Sequence, residues 1–166
     1  NNGDDNDASP RSNPTISNLT CVGASTGGDA GFRLREGTSA KISNVVMGMH
    51  NDYCLDIDQT ATFVNAGGSI AGLNGNLTMT NSRLVSGCPF SASEGDNFSV
   101  ADFFGAQSGS SLGEVDLMGS IGWINGPVLN AITPAIPADS FFTQVDYIGA
   151  IKDSNSDWTA GWTYSD

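Results

Sequence analysis

The sequence predicts an all-β protein: a right-handed parallel β-helix of a few coils, then a short capping helix and an irregular, partly β tail. Three observations predict it. Gly is abundant at 21 residues, Lys and Arg together number only 6, and strong helix formers are sparse; this is a turn-rich β composition. One motif recurs three times, its first two copies 26 residues apart. A second motif recurs alongside it at an offset of 23 residues, with charges of opposite sign in matching positions.

The first motif is Thr15-Ile16-Ser17-Asn18-Leu19-Thr20-Cys21, repeated as Lys41-Ile42-Ser43-Asn44-Val45-Val46-Met47 and as Thr78-Met79-Thr80-Asn81-Ser82-Arg83-Leu84. Each copy has an apolar residue, a hydroxyl residue, Asn, two variable residues and an apolar residue. The expected core columns are Ile16, Ile42, Met79 and Cys21, Met47, Leu84. Asn tolerates the left-handed backbone of a sharp bend, and its amide can bond the coils above and below. Asn18, Asn44 and Asn81 are therefore expected to stack as a ladder.

The second motif sets Asp29-Ala30-Gly31-Phe32-Arg33-Leu34-Arg35 against Asp52-Tyr53-Cys54-Leu55-Asp56-Ile57-Asp58. Strand alternation sends Phe32, Leu34, Leu55 and Ile57 inward. Arg33 then faces Asp56 and Arg35 faces Asp58 on the outer side, a pairing that favours this register.

Around these motifs the chain divides into a linker or interior loop (1–14), β-helix coils (15–90), and an end-covering helix with a C-terminal β segment (91–166). The stretch Ala61 to Asn76 is rich in Gly and Asn and reads as a longer loop or an extra irregular strand. Ser99-Val100-Ala101-Asp102 resembles a capping box with Asp in the Glu position, and Val100, Phe103 and Phe104 give the helix an apolar face. Val145 to Ile151 alternates like a strand.

Of the three cysteines, Cys54 precedes an outward-facing strand and Cys88 follows the third repeat. Adjacent coils bring them together, so a Cys54–Cys88 disulfide is expected, with Cys21 a buried free thiol in its core column. No CxxC spacing is present, which argues against zinc.

A net charge of -12 and a pI near 4.1 oppose binding to nucleic acid or anionic lipid. No apolar run reaches membrane-spanning length. With neither a leader nor an initiator Met, the chain is read as a processed product or the C-terminal part of something longer.

The residues from Pro10 to Asn18, then Arg33-Leu34-Arg35-Glu36-Gly37 and Cys54-Leu55-Asp56-Ile57-Asp58, are similar to the C-terminal half of a family of large secreted bacterial proteins, many of them lipoproteins. The ending Asp146-Tyr147-Ile148-Gly149-Ala150 with Asp157-Trp158-Thr159-Ala160-Gly161-Trp162-Thr163 resembles that family's usual end. The resemblance implies a pectate-lyase-like parallel β-helix, further coils upstream, and secretion or display at a bacterial surface. It implies no activity.

Candidate chemistry is thin. His50 is the single His, and with no GxSxG-type nucleophile motif it reads as a solvated loop residue rather than a catalytic base. Arg33, Arg35, Asp56 and Asp58 suit a lyase-like cleft, but a structural charge ladder explains them more simply. Asp153, Asn155 and Asp157, with Asp4-Asp5-Asn6-Asp7, offer oxygen ligands for calcium without the Gly and Glu of an EF-hand loop. Trp123, Trp158, Trp162, Tyr147 and Tyr164 suit end-capping or sugar stacking. The expected function is a non-enzymatic extracellular or surface module, structural or adhesive, which self-associates through open β-helix ends or continues upstream coils. The alternative is a carbohydrate-binding or polysaccharide-lyase-like protein.

Overall fold

A computed structural model describes residues 5–24, 26–27, 30–91, 98–115 and 132–161. The first coil runs through β1 (Thr15–Ser17), β2 (Thr20–Val22) and β3 (Phe32–Leu34). The second repeats it as β4 (Lys41–Ser43), β5 (Val46–Gly48) and β6 (Leu55–Ile57). The third contributes β7 (Thr78–Thr80) and β8 (Arg83–Val85), and a fourth contributes β9 (Ser111–Gly113). The strands stack in parallel into three sheets, ordered β1-β4-β7, β2-β5-β8-β9 and β3-β6. Phe90 of the third coil bridges to Leu55 and continues the last sheet.

The register is that of the two motifs. Ile16 pairs with Ile42 and Ile42 with Met79; Cys21 pairs with Met47 and Met47 with Leu84. Phe32 pairs with Leu55 and Leu34 with Ile57. Asn18, Asn44 and Asn81 have φ of 57°, 58° and 50°, the left-handed backbone that turns the chain from the first sheet to the second. Gly109 holds the same place in the fourth coil with φ 71°. A Cβ there would stand 2.6 Å from Asn81 Nδ2, so only glycine fits. Gln107 takes the place of Met79 one coil on and accepts a hydrogen bond from Met79 N (3.1 Å). The coils therefore extend past residue 90, beyond the boundary expected from sequence. The fourth copy was hidden because Gln and Gly replace the apolar residue and the Asn.

Inside the coils Ile42, Met47, Leu55, Met79 and Leu84 are buried. Cys54 and Cys88 are disulfide-bonded, tying the second coil to the third. Helix α1 (Thr60–Ala66) and a 3₁₀ turn at Ile70–Gly72 occupy the stretch read from sequence as a loop or strand. Its β-branched residues and missing cap disguise the helix. Burial of Phe63 and Ala66 overrides that weak propensity, Phe63 alone contributing about 1.5–3 kcal/mol.

Helix α2 (Val100–Gly105) forms as expected, with the Ser99 hydroxyl accepting from Asp102 N (3.0 Å). Val100, Phe103 and Phe104 are buried, and Phe98 and Phe104 meet Phe63 and Phe90 at ring distances of 5.0 and 5.8 Å. These rings pack on the core beside the third coil.

The tail does something else. Residues 145–151 form no strand. Residues 132–151 climb back along the side of the coils. Asn81 Nδ2 donates to Thr133 O (2.8 Å), Asn44 Nδ2 to Ala135 O (2.9 Å) and Asn18 Nδ2 to Tyr147 O (2.8 Å). Gly149 N donates to Asn44 O (2.7 Å). Ile148 is buried against Val46, on the outer face of the second sheet. Backbone groups that a strand would present to a partner are here committed to the Asn bends.

Candidate functional site

At the far end the buried rings of Phe98, Phe103 and Phe104 pack around α2, and Leu112 of β9, next in the Cys21–Met47–Leu84 column, is exposed. At the near end β1, β2 and β3 are each the outermost strand of their sheet. Ile42, Met47 and Leu55, buried in the second coil, have half-buried counterparts in the first (Ile16, Cys21, Phe32), while Leu34, the partner of Ile57, is buried. A hollow of about 610 Å³ opens there, bordered by Ile16, Phe32 and Leu34 on one side and by Pro10, Arg11 and Pro14 on the other. The described linker residues 10–14 border it. Arg11 Nη1 donates to Gly37 O (3.0 Å) and Ser39 N to Ser12 O (2.7 Å), which holds residues 11–14 at the corner before β4.

The charge ladder is half formed. Arg33 Nε meets Asp56 Oδ2 at 2.8 Å, and Asp56 is buried beneath it at 4 % exposure. Arg35 does not pair with Asp58. Its Nε lies 3.7 Å from Glu36, because the chain leaves β3 at Leu34 and turns with φ 56° at Glu36. Asp58 borders a separate hollow with Asn6 and Gln59.

The Asn column is a ladder only at its upper step. Asn44 Nδ2 donates to Asn18 Oδ1 (3.0 Å) and Asn44 Oδ1 accepts from Ala135 N (2.7 Å). The Asn81 amide bonds the tail instead, at Thr133. The tail satisfies these amides more than the neighbouring coils do, which the repeat alone gave no means to foresee.

A third feature is a groove of about 350 Å³ between the outer face of the first sheet and the tail. Thr15, Lys41, Thr78 and Thr80 line it on the sheet side, Ile136 and Asp139 on the other. Lys41 Nζ donates to the carbonyls of Gly75 and Asn76, and burial pushes its pKa down.

The remaining candidates are placed as follows. His50 is not simply solvated: its ring packs against Gly23 and Gly31, with Nε2 3.5 Å from Cys21 Sγ. Cys21 is half-buried rather than buried, because no described strand lies over β2, and burial still raises its pKa. The carboxylates of Asp153 and Asp157 accept turn hydrogen bonds from Asn155 N and Thr159 N (both 2.9 Å). Asp5 accepts from Asp7 N (3.2 Å), and Asp7 pairs with Arg11. Among the described residues no three His, Cys, Asp or Glu side chains converge. Trp158 is largely exposed and donates through Nε1 to Ala150 O (2.8 Å). Trp123, Trp162, Tyr164 and Asp4 lie outside the described residues. No described helix is long and apolar enough to cross a membrane.

Residues 1–126 match the family model of the pectate-lyase-like β-helix domain. The chain belongs to this family. The match spans the coils, α2 and β9, and stops before the described tail. No curated protein and no solved structure matches the chain. Within a pectate-lyase-like β-helix the paired sheets supply a rigid frame. The three features above are what this member builds on it.

Proposed function

We propose that this β-helix is a non-enzymatic structural module of an extracellular or cell-surface protein, and that it associates through its open first coil with the β-coil edge of another copy. The observation that carries the reading is the first coil: β1, β2 and β3 are each the outermost strand of their sheet, around half-buried Ile16, Cys21 and Phe32. Such edges pair with available strands. The tail segment 145–151 is not the donor, because it is engaged with its own Asn bends. Joining two first coils gives a two-fold contact that closes, not a filament. Commitment of Arg33 to Asp56 supports the non-enzymatic part, since that arginine is the base a lyase-like cleft would use.

Light scattering tests the reading. The native chain shifts from monomer to dimer as concentration and salt rise, salt screening the repulsion between copies of charge -12. Phe32→Asp keeps the circular dichroism of the coils and stays monomeric. A native chain that is monomeric under all conditions refutes the proposal. Cleavage of pectate or alginate, lost in Arg33→Ala, refutes its non-enzymatic part.

A second reading, carbohydrate binding, draws on the Thr- and Lys-lined groove beside the tail. Titration with neutral and acidic oligosaccharides, reading Lys41→Ala against the native chain, tests it.

A further inference from the structure

The free thiol, the single histidine and a buried methionine come together between the first two coils. Cys21 and Met47 are register partners in β2 and β5, so their side chains stack. His50 lies just beyond β5, and the chain brings its Nε2 to 3.5 Å from Cys21 Sγ. Two glycines make room for it. A Cβ on Gly23 would stand 2.6 Å from His50 Cα and 2.7 Å from its Nδ1. A Cβ on Gly31 would stand 2.4 Å from Met47 Sδ and 2.8 Å from His50 Nε2, so both donor atoms border one small space. Met47 is fully buried, while Cys21 and His50 are half-buried and give the space an outlet.

We propose that Cys21, His50 and Met47 form a binding site for a soft monovalent metal ion, Cu(I). Ligand bonds of about 2.3 Å to thiolate sulfur and about 2.0 Å to imidazole nitrogen, at a trigonal or tetrahedral angle, span a sulfur–nitrogen separation of about 3.5 Å. The Cys21–His50 pair has that spacing already. The donor set chooses the ion: one thiolate, one imidazole and one thioether suit Cu(I) and offer no oxygen to Ca²⁺ or Mg²⁺. Binding replaces the Cys21 S–H bond with a Cu–S bond and releases the thiol proton to solvent; His50 binds through neutral Nε2. No oxidation change is required.

The test titrates the disulfide-intact chain, verified to carry one free thiol, with ascorbate-reduced copper held by a chromophoric Cu(I) chelator. The native chain withdraws one ion per chain and releases one proton per ion at neutral pH. X-ray absorption reports two sulfur neighbours and one imidazole nitrogen. Cys21→Ser and His50→Gln each weaken uptake by about tenfold or more, on the scale at which altered metal-site residues act. Met47→Leu, a volume-conserving change that keeps the core filled, leaves uptake but reduces the sulfur count to one. Circular dichroism confirms that each variant keeps its coils. No withdrawal by the native chain overturns the proposal, and so does uptake unchanged in both Cys21→Ser and His50→Gln, which marks adventitious binding elsewhere.

Discussion

Asn44 concentrates the logic of the fold in one residue. Its backbone sits at φ 58°, and its side chain, 1 % exposed, bonds Asn18 above and Ala135 of the tail. Asn44→Ala removes those bonds and leaves in the left-handed region a residue without the polar side chain that lets Asn tolerate it. The expected loss in denaturant unfolding is about 1–3 kcal/mol from unsatisfied groups, with backbone strain added. Asn44→Gly relieves the strain but not the lost bonds and falls between. Equal stability of Ala and native chains contradicts this. Cys21 adds a pH dependence. Burial raises its thiol pKa, so the folded chain keeps a proton that the unfolded chain releases. That contribution is complete below the unfolded thiol's pKa and is lost as pH rises through the folded one. Stability therefore declines in the alkaline range, and thermal melts of Cys21→Ser at several pH values show a shallower decline.

At the scale of elements, the coils are locked by a covalent tie and by the tail. The Cys54–Cys88 bridge closes a loop of sequence separation 34. In the chain-entropy account, its removal in Cys54→Ser/Cys88→Ser costs about 3–4 kcal/mol. Unchanged denaturation midpoints would contradict that. The three copies of the Asn motif and the Arg33–Asp56 pair made the coils and their register readable from sequence, because stacking repeats identical environments. Three elements were not readable, each for a physical reason. Helix α1 has weak intrinsic propensity and forms because Phe63 and Ala66 are buried. The fourth bend uses Gly109 in place of Asn. The path of residues 132–151 is set by contacts with Asn18, Asn44 and Asn81 far back in the chain, and strand-like alternation gave no hint of it. The meeting of Cys21, Met47 and His50 was half readable: the stacking of Cys21 on Met47 followed from the motif, but the position of His50 depends on space left by Gly23 and Gly31.

At the scale of the molecule, the first coil is the outermost described coil at its end of the stack. The account stands or falls on whether that first coil is a contact surface. Amide hydrogen–deuterium exchange followed by mass spectrometry, at low and high protein concentration in moderate salt, reads it most directly. Peptides covering 15–34 gain protection as concentration rises, while those covering 41–48 are unchanged because both neighbours of β4 and of β5 are already in place. First-coil peptides as protected in the dilute chain as in the concentrated one would contradict the account.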